Sequence, residues 1–327
     1  MKPITRRKMV RALLPLAAIV LPTATGLADE AVGLQRRPVS FQVTNPNENG
    51  AVRTIAGYRF DPPCAASSVV VLQHGFSYTK DYWDFPGYSA ARALAQAGYA
   101  VVAIDRLGYG ESELPNGYDV SHEGYAEITR QLVSQLRREF GHVVLGGLSG
   151  GAAITMLTQG LFGSADAILV LGYHHRPSDE FLAVFAGQDT PRALQDDYSY
   201  FFGTPGHRAE WLHSDGADPE VVRMDTESAV LTPSGEILTT GKQPSRIVTS
   251  NIRVPVFLQI GEQDRLFEPK YADMERLLLS NSPSVTIDVV PGAGHSVVLD
   301  RSGPAGTSRL VDWVRGRTEV PSCSPAA

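Results

Sequence analysis

The chain has 327 residues, 43% of them hydrophobic and 20% charged, with a formal net charge of −6. This composition is ordinary for a soluble globular protein and excludes collagenous, disordered and multi-span membrane classes. The length admits one large α/β domain or two smaller ones.

Residues 1–28 read as an export signal. Arg6, Arg7, Lys8 and Arg11 make a basic stretch, Leu13 to Leu21 an apolar one broken by Pro15, and Gly26-Leu27-Ala28 offers small residues for cleavage. The apolar run is too short to span a bilayer, so no stable membrane span is expected once the signal is removed. Thr5-Arg6-Arg7-Lys8-Met9-Val10 resembles a twin-arginine signal, and the expected location is periplasmic or extracellular. An anchored or simply basic N-terminus is the alternative. Losing residues 1–28 removes five positive charges and no acidic ones, which takes the formal charge from −6 to −11. Such a surface repels nucleic acid, and none is expected as a partner. Cys64 and Cys323 are the two cysteines, and an oxidising compartment would let them pair. Nothing in the sequence calls for a metal or a cofactor, since no Cys-x-x-Cys or zinc-type His/Cys spacing occurs.

Residues 38–60 read as one or two leading antiparallel strands. Continuous β-branched apolar runs then follow at Val69–Gln73, Ala100–Ile104, Val143–Gly146, Ala167–Leu171, Val254–Ile260 and Val285–Val290. Runs of this kind are strands buried on both faces of a parallel sheet. Tyr88–Ala97, Tyr125–Phe140 and Pro269–Leu279 have helical composition and fill the gaps, as right-handed crossovers require. The predicted organisation is a core over 29–174, an insertion over 175–250, and a second core part with a tail over 251–327. The gap before Val254 is about 80 residues, far more than one crossover needs. The surplus reads as a lid rich in aromatic residues, including Phe181, Phe185 and Phe202. His174, Tyr198, Tyr200, Phe201 and Trp211 are candidates to line a substrate pocket. The alternative is that these rings form the insertion's own small core.

Gly147-Leu148-Ser149-Gly150-Gly151 matches G-x-S-x-G between a predicted strand and a helix start. A strained turn there presents Ser149 as a nucleophile, and Gly147 and Gly151 leave room for it. A serine hydroxyl needs a base, and His295 in the glycine-rich loop 291–296 is the best placed of eight histidines. His74 ends an early strand and reads as a brace for its loop; His122, His142, His174, His175, His207 and His213 fall elsewhere. Asp264 follows the strand 254–260 and is favoured as the orienting acid over its neighbour Glu262; a simple ion pair with Arg265 is a further alternative. The backbone N–H groups of Phe76 and Gly150 are candidates for an oxyanion hole.

Together, His74-Gly75-Phe76, the stretch Asp105 to Ser112, the elbow at 147–151, Gly261-x-x-Asp264 and Gly294-His295 resemble the α/β-hydrolase fold superfamily over roughly 38–318. The resemblance implies a mostly parallel sheet flanked by helices and a cap inserted after the sixth core strand. It also implies a Ser149/Asp264/His295 triad, with Phe76 and Gly150 at the oxyanion hole and no catalytic role for Asp105 or Arg106. The expected activity is hydrolysis of a carboxylic ester, the substrate an apolar or aromatic small molecule. A carbon-carbon or amide-bond hydrolase of the same fold is the alternative. From a different class, an exported binding protein without turnover is another.

Overall fold

The computed structural model describes residues 34–317. The expected signal at 1–28 and the tail with Cys323 lie outside the described residues, and with them one half of the predicted Cys64–Cys323 bridge.

Strands β1 (Arg37–Asn45) and β2 (Ala51–Phe60) form an antiparallel hairpin, turned at the left-handed residues Asn49 and Gly50. Residues alternate between exposed and buried toward the end of β1, as in an edge strand with one wet face. The buried runs follow as β3 (Ser68–Gln73), β4 (Ala100–Ile104), β5 (His142–Leu148) and β6 (Ala167–Leu171). A small ribbon pairs β7 (Tyr198–Ser199) with β8 (Thr232–Pro233), and β9 (Val256–Gly261) and β10 (Val285–Val290) return to the main sheet. Strand order in that sheet is β1-β2-β4-β3-β5-β6-β9-β10. β2 runs antiparallel to β4, and every pairing from β4 to β10 is parallel.

The central strands β3, β4 and β6 are buried at every position, so both sheet faces are covered. Helix α1 (Ala90–Gln96) packs on the C-terminal helix Gly303–Arg315, and α2 (His122–Leu136) packs on α3 (Gly150–Phe162). α2 begins three residues earlier than its composition suggests, because the Ser121 hydroxyl accepts the Gly124 N–H at 3.0 Å and caps it. The stretch predicted as one helix over Pro269–Leu279 is instead a 3-10 turn, Pro269–Met274, and one α turn, Glu275–Leu278. There Glu275 turns inward and accepts the His175 N–H at 3.0 Å, which fixes the short helix against the core. No helix among the described residues is long and apolar enough to cross a membrane.

Residues 172–255 leave the sheet after β6 and fold into short helices around the β7–β8 ribbon. Hydrogen bonds stitch this insertion to the core. Thr232 Oγ1 accepts the Ser77 N–H at 3.0 Å, Gly235 N–H donates to Gly117 O at 2.8 Å, and Ser296 N–H donates to Leu212 O at 2.7 Å. Within it, Arg208 and His213 reach the buried Asp225 carboxylate at 2.8 and 2.9 Å. Burial alone would raise that carboxyl, but Arg208 and His213 hold it below the usual carboxylate range.

Candidate active site

The parallel strands deliver their loops to one edge of the sheet, and the chemistry-bearing residues stand there. β5 ends at Leu148, and Ser149 takes φ 52° and ψ −117° before α3 begins at Gly150. A non-glycine residue in this region costs roughly 1–3 kcal/mol and is held only by tight surroundings. The glycines supply that tightness: a Cβ at Gly147 would lie 2.3 Å from the Gly151 carbonyl carbon, and one at Gly151 would lie 2.4 Å from His74 O. Ser149 N–H donates to Leu171 O at 2.8 Å, which fastens the turn to β6.

The loop after β10 carries His295, 1% exposed. Three bonds hold this loop. Gly294 N–H donates to Asp300 at 2.6 Å, Ser296 N–H to Leu212 O at 2.7 Å, and Ser296 Oγ meets the Tyr78 hydroxyl. His295 Nδ1 lies 2.9 Å from Asp264 Oδ2, while Asp264 Oδ1 accepts the Leu266 and Phe267 N–H groups at 2.8 and 2.9 Å. Asp264 thus accepts three hydrogen bonds, two from its own loop and one from His295, and Nδ1 is the donor in that pair. Glu262 does something else: it is exposed and accepts the Gly292 N–H at 2.8 Å, so it ties two loops together at the surface. Arg265 pairs with Glu180 and Glu210 rather than with Asp264.

Gly172 lies between the two loops: a Cβ there would be 3.2 Å from both Leu148 Cδ1 and His295 Cε1. Among the described residues no hydrogen bond joins the Ser149 hydroxyl to His295 Nε2. The Phe76 N–H also donates to no described residue, and Gly150, the first residue of α3, has an N–H that lies ahead of the intrahelical ladder. Both lie close to Ser149: a Cβ at Gly75, next to Phe76, would be 3.1 Å from Ser149 Cβ, and Gly150 follows the serine directly. His74 is fully buried and well below its usual pKa, first through burial and then through Arg106. Its Nδ1 donates to Gly75 O at 2.8 Å and its Nε2 accepts the Arg106 N–H at 3.1 Å, so it braces the loop as a neutral ring.

Ser149 opens into a cavity walled by Phe76, Tyr173, Phe181, Phe185, Phe201 and Phe267. Ala153, Pro177 and Leu182 complete its apolar side; His122, Thr240, Gly241 and Gln243 lie on the other. Burial, then Arg106, lowers the His122 imidazole to about 3, so this polar side is neutral. Of the five candidate lining residues only Phe201 borders the cavity. Tyr198 is a correction: its hydroxyl donates to Pro115 O at 2.9 Å and its backbone is committed to the β7–β8 ribbon. Tyr200 is a second, being 37% exposed. Trp211 stacks on Phe202 at 5.2 Å, behind the wall, under the Arg265 guanidinium. His174 lies behind Phe267, ring to ring at 5.4 Å, with Nε2 on Glu268 O at 3.1 Å. The insertion's rings therefore divide between wall and core. Phe202, at φ 58°, is fully buried behind the wall, its ring 4.1 Å from that of Phe201 and stacked on Trp211. Tyr173 and Phe267 were missed by the sequence reading, and Phe267 had one available signal, its place three residues after Asp264.

Known proteins resemble the chain along most of its length. A 2-succinyl-6-hydroxy-2,4-cyclohexadiene-1-carboxylate synthase of Bacillus subtilis is 27% identical over 252 residues, 72% of this chain and 86% of its own. A Synechocystis protein named as a non-heme chloroperoxidase is 27% identical over 284 residues, 78% of this chain and 93% of its own. Among solved structures, a thermophilic esterase from Thermogutta terrifontis superposes with a TM-score of 0.67 at 22% identity, over 87% of this chain and all of its own. An esterase from Exiguobacterium antarcticum gives 0.64 at 18% identity, over 84% and 99%. Identities this low carry the fold and nothing finer. The sequence profile of the alpha/beta hydrolase family matches residues 69–306, from β3 into the C-terminal helix, and the chain belongs to that family.

Proposed function

We propose that this protein is an exported serine hydrolase that cleaves a carboxylic ester of an apolar or aromatic small molecule through an acyl-enzyme on Ser149. One observation carries the reading most: a serine held in a left-handed turn borders an aromatic cavity, with a buried histidine-carboxylate pair on the adjoining loops. In this mechanism His295 Nε2 takes the Ser149 proton as the hydroxyl attacks the ester carbonyl. Asp264 keeps the proton on Nδ1 and stabilises the imidazolium that forms. The Phe76 and Gly150 amides receive the developing oxyanion, and the α3 N-terminus adds favourable field. His295 then protonates the leaving alcohol, and water attacks the acyl-enzyme by the same path in reverse. In this account the Ser149–His295 hydrogen bond forms on substrate binding, as catalytic hydrogen bonds often tighten only in the complex.

The cavity bears on the substrate. No lysine or arginine is among its lining residues, so the buried group of the substrate is neutral and matches ring-lined walls. Carbon-carbon and amide hydrolases would use the same three residues, and rates on matched esters, amides and β-diketones separate the three. The decisive variant is Ser149→Ala, expected to fold and to lose hydrolysis of p-nitrophenyl acetate and labelling by a fluorophosphonate. Hydrolysis by Ser149→Ala at the parent rate sinks the mechanism. Export along the twin-arginine route and the Cys64–Cys323 bridge belong to the same proposal. A mature N-terminus near Asp29, read by mass spectrometry from the culture fluid or periplasm, is the expected result.

A further inference from the structure

The mechanism above gives no task to the buried cations, and one of them stands against the loop before Phe76. Arg106 follows β4, is 1% exposed, and carries a charge whose burial is costly unless its donors are matched. They are matched by an unusual set. Nε donates to His74 O at 3.1 Å and Nη2 to Gly75 O at 3.3 Å, while Nη1 pairs with Glu236. Glu236 is 0% exposed, sits on the insertion's helix Ser234–Thr240, and also accepts the Tyr109 hydroxyl at 2.5 Å. The backbone N–H of Arg106 meets His74 Nε2, and the same imidazole donates to Gly75 O at 2.8 Å.

These bonds converge on one peptide plane. Gly75 O belongs to the peptide whose N–H is that of Phe76, and a trans peptide points its C=O and N–H in opposite directions. Two donors that fix the carbonyl therefore fix the aim of the amide. That plane lies against the nucleophile, since a Cβ at Gly75 would be 3.1 Å from Ser149 Cβ. Glu236 Oε1 in turn lies 3.4 Å from a Cβ placed on Gly150, beside the second amide. Without a cation against it, this carboxylate would repel an oxyanion forming there.

We propose that Arg106, anchored by Glu236 of the insertion, is a positioning residue for the oxyanion hole: it grips the His74 and Gly75 carbonyls and so aims the Phe76 N–H at the tetrahedral intermediate. The inference rests on the serine-hydrolase reading. It makes the insertion part of the chemistry, because its buried carboxylate sets the guanidinium that sets the amide. It also explains the choice of arginine, whose planar fork reaches two carbonyls and a carboxylate at once, where a lysine ammonium reaches fewer.

The test uses Arg106→Lys and Glu236→Gln in the full chain. Four quantities are read: kcat and KM for p-nitrophenyl acetate, affinity for a trifluoromethyl ketone whose hemiketal imitates the oxyanion, fluorophosphonate labelling, and thermal unfolding. Arg106→Lys is expected to lower kcat about 30- to 100-fold, less than outright loss of an oxyanion donor. KM should stay within about threefold, and ketone affinity should fall with kcat, because only the charged intermediate feels the misaimed amide. Glu236→Gln keeps a neutral acceptor and should lose about three- to tenfold with the same split. A variant that melts earlier yet keeps the parent kcat and ketone affinity overturns the inference. Should Arg106→Lys not fold, Glu236→Gln decides alone, and unchanged ketone affinity overturns it. A parent protein that neither labels nor binds the ketone overturns the hydrolase reading and this inference together; a parent that does both, with unaltered variants, overturns the positioning role only.

Discussion

Asp264→Asn isolates what the orienting carboxylate does. The substitution is isosteric, and the asparagine carbonyl can still accept the Leu266 and Phe267 N–H groups now bound at 2.8 and 2.9 Å. That leaves the amide NH2 facing His295 Nδ1, which today sits 2.9 Å from a carboxylate oxygen. Two donors cannot face each other, so Nδ1 must shed its proton and Nε2 must carry one. An imidazole with its proton on Nε2 cannot accept another from Ser149. Reversing the tautomer in this way costs roughly 10⁴-fold in kcat, or about 5.5 kcal/mol of transition-state stabilisation. Stability should change far less, by about 1–2 kcal/mol, because three neutral hydrogen bonds replace three charge-assisted ones and none is left unmade. The assay is p-nitrophenyl acetate turnover at pH 7.5 beside a thermal melt, with Glu262→Gln as the comparison. Glu262 holds only the exposed Gly292 N–H, so that variant should stay within about twofold, in line with a surface contact. A D264N protein within tenfold of the parent, or a Glu262→Gln protein that loses more, would refute the tautomer argument.

The strained turn makes its own forecast. Gly151→Ala sets a methyl 2.4 Å from His74 O and 2.7 Å from Gln73 O, both backbone atoms that cannot step aside. A loss of about 3 kcal/mol or more is expected, read as a fall in melting temperature together with loss of activity. Phe201→Ala removes a wall of the cavity and should shift preference toward longer or bulkier acyl groups in a chain-length series, with acetate turnover least affected. Unchanged acyl preference would remove Phe201 from the site. Asp189 is fully buried, with Arg192 at 3.7 Å, and burial raises its carboxyl to about 6 against the pull of the Phe202 backbone N–H, Arg192 and His207. The folded state thus resists its ionisation. The contribution of this one group is greatest below about pH 4 and declines as the pH rises from about 4 to 6, by up to about 3 kcal/mol for two pKa units, and it is read as the difference between the parent and Asp189→Asn. Asp189→Asn should flatten that slope in melts taken from pH 4 to 8, and an unaltered slope rules out Asp189 as its source.

What the sequence discloses follows from how local each feature is. The sheet was legible because Val69–Gln73, Ala100–Ile104 and Ala167–Leu171 are apolar without interruption, and only strands covered on both faces tolerate that. The Ser149 turn was legible because its steric demands fall on residues two positions away, where only glycine serves. The cavity wall was not. Phe201 and Phe202 are neighbours of equal hydrophobicity, and only the packing of the insertion, with Phe202 stacked on Trp211, decides that Phe201 is the ring on the cavity. The Arg106–Glu236 pair joins residues 130 positions apart, and no periodicity or motif links them. The stretch with Arg106 read as structural, and its hydrogen bonds to the loop before Phe76 appear only once the chain has folded.

The insertion's fastening also constrains how a molecule reaches Ser149. Glu236 sits on Arg106, Arg208 donates to Ser77 O at 3.0 Å, and Thr232 receives the Ser77 amide. Swinging the whole insertion aside like a hinged door would break these ties together and strip the apolar rings of their cover. Leu182 and Gly241 border the cavity and are themselves exposed, with no such anchors of their own. Traffic through this rim asks only that a leucine side chain and a glycine turn give way, so the width of that doorway becomes the filter on what the protein can take in.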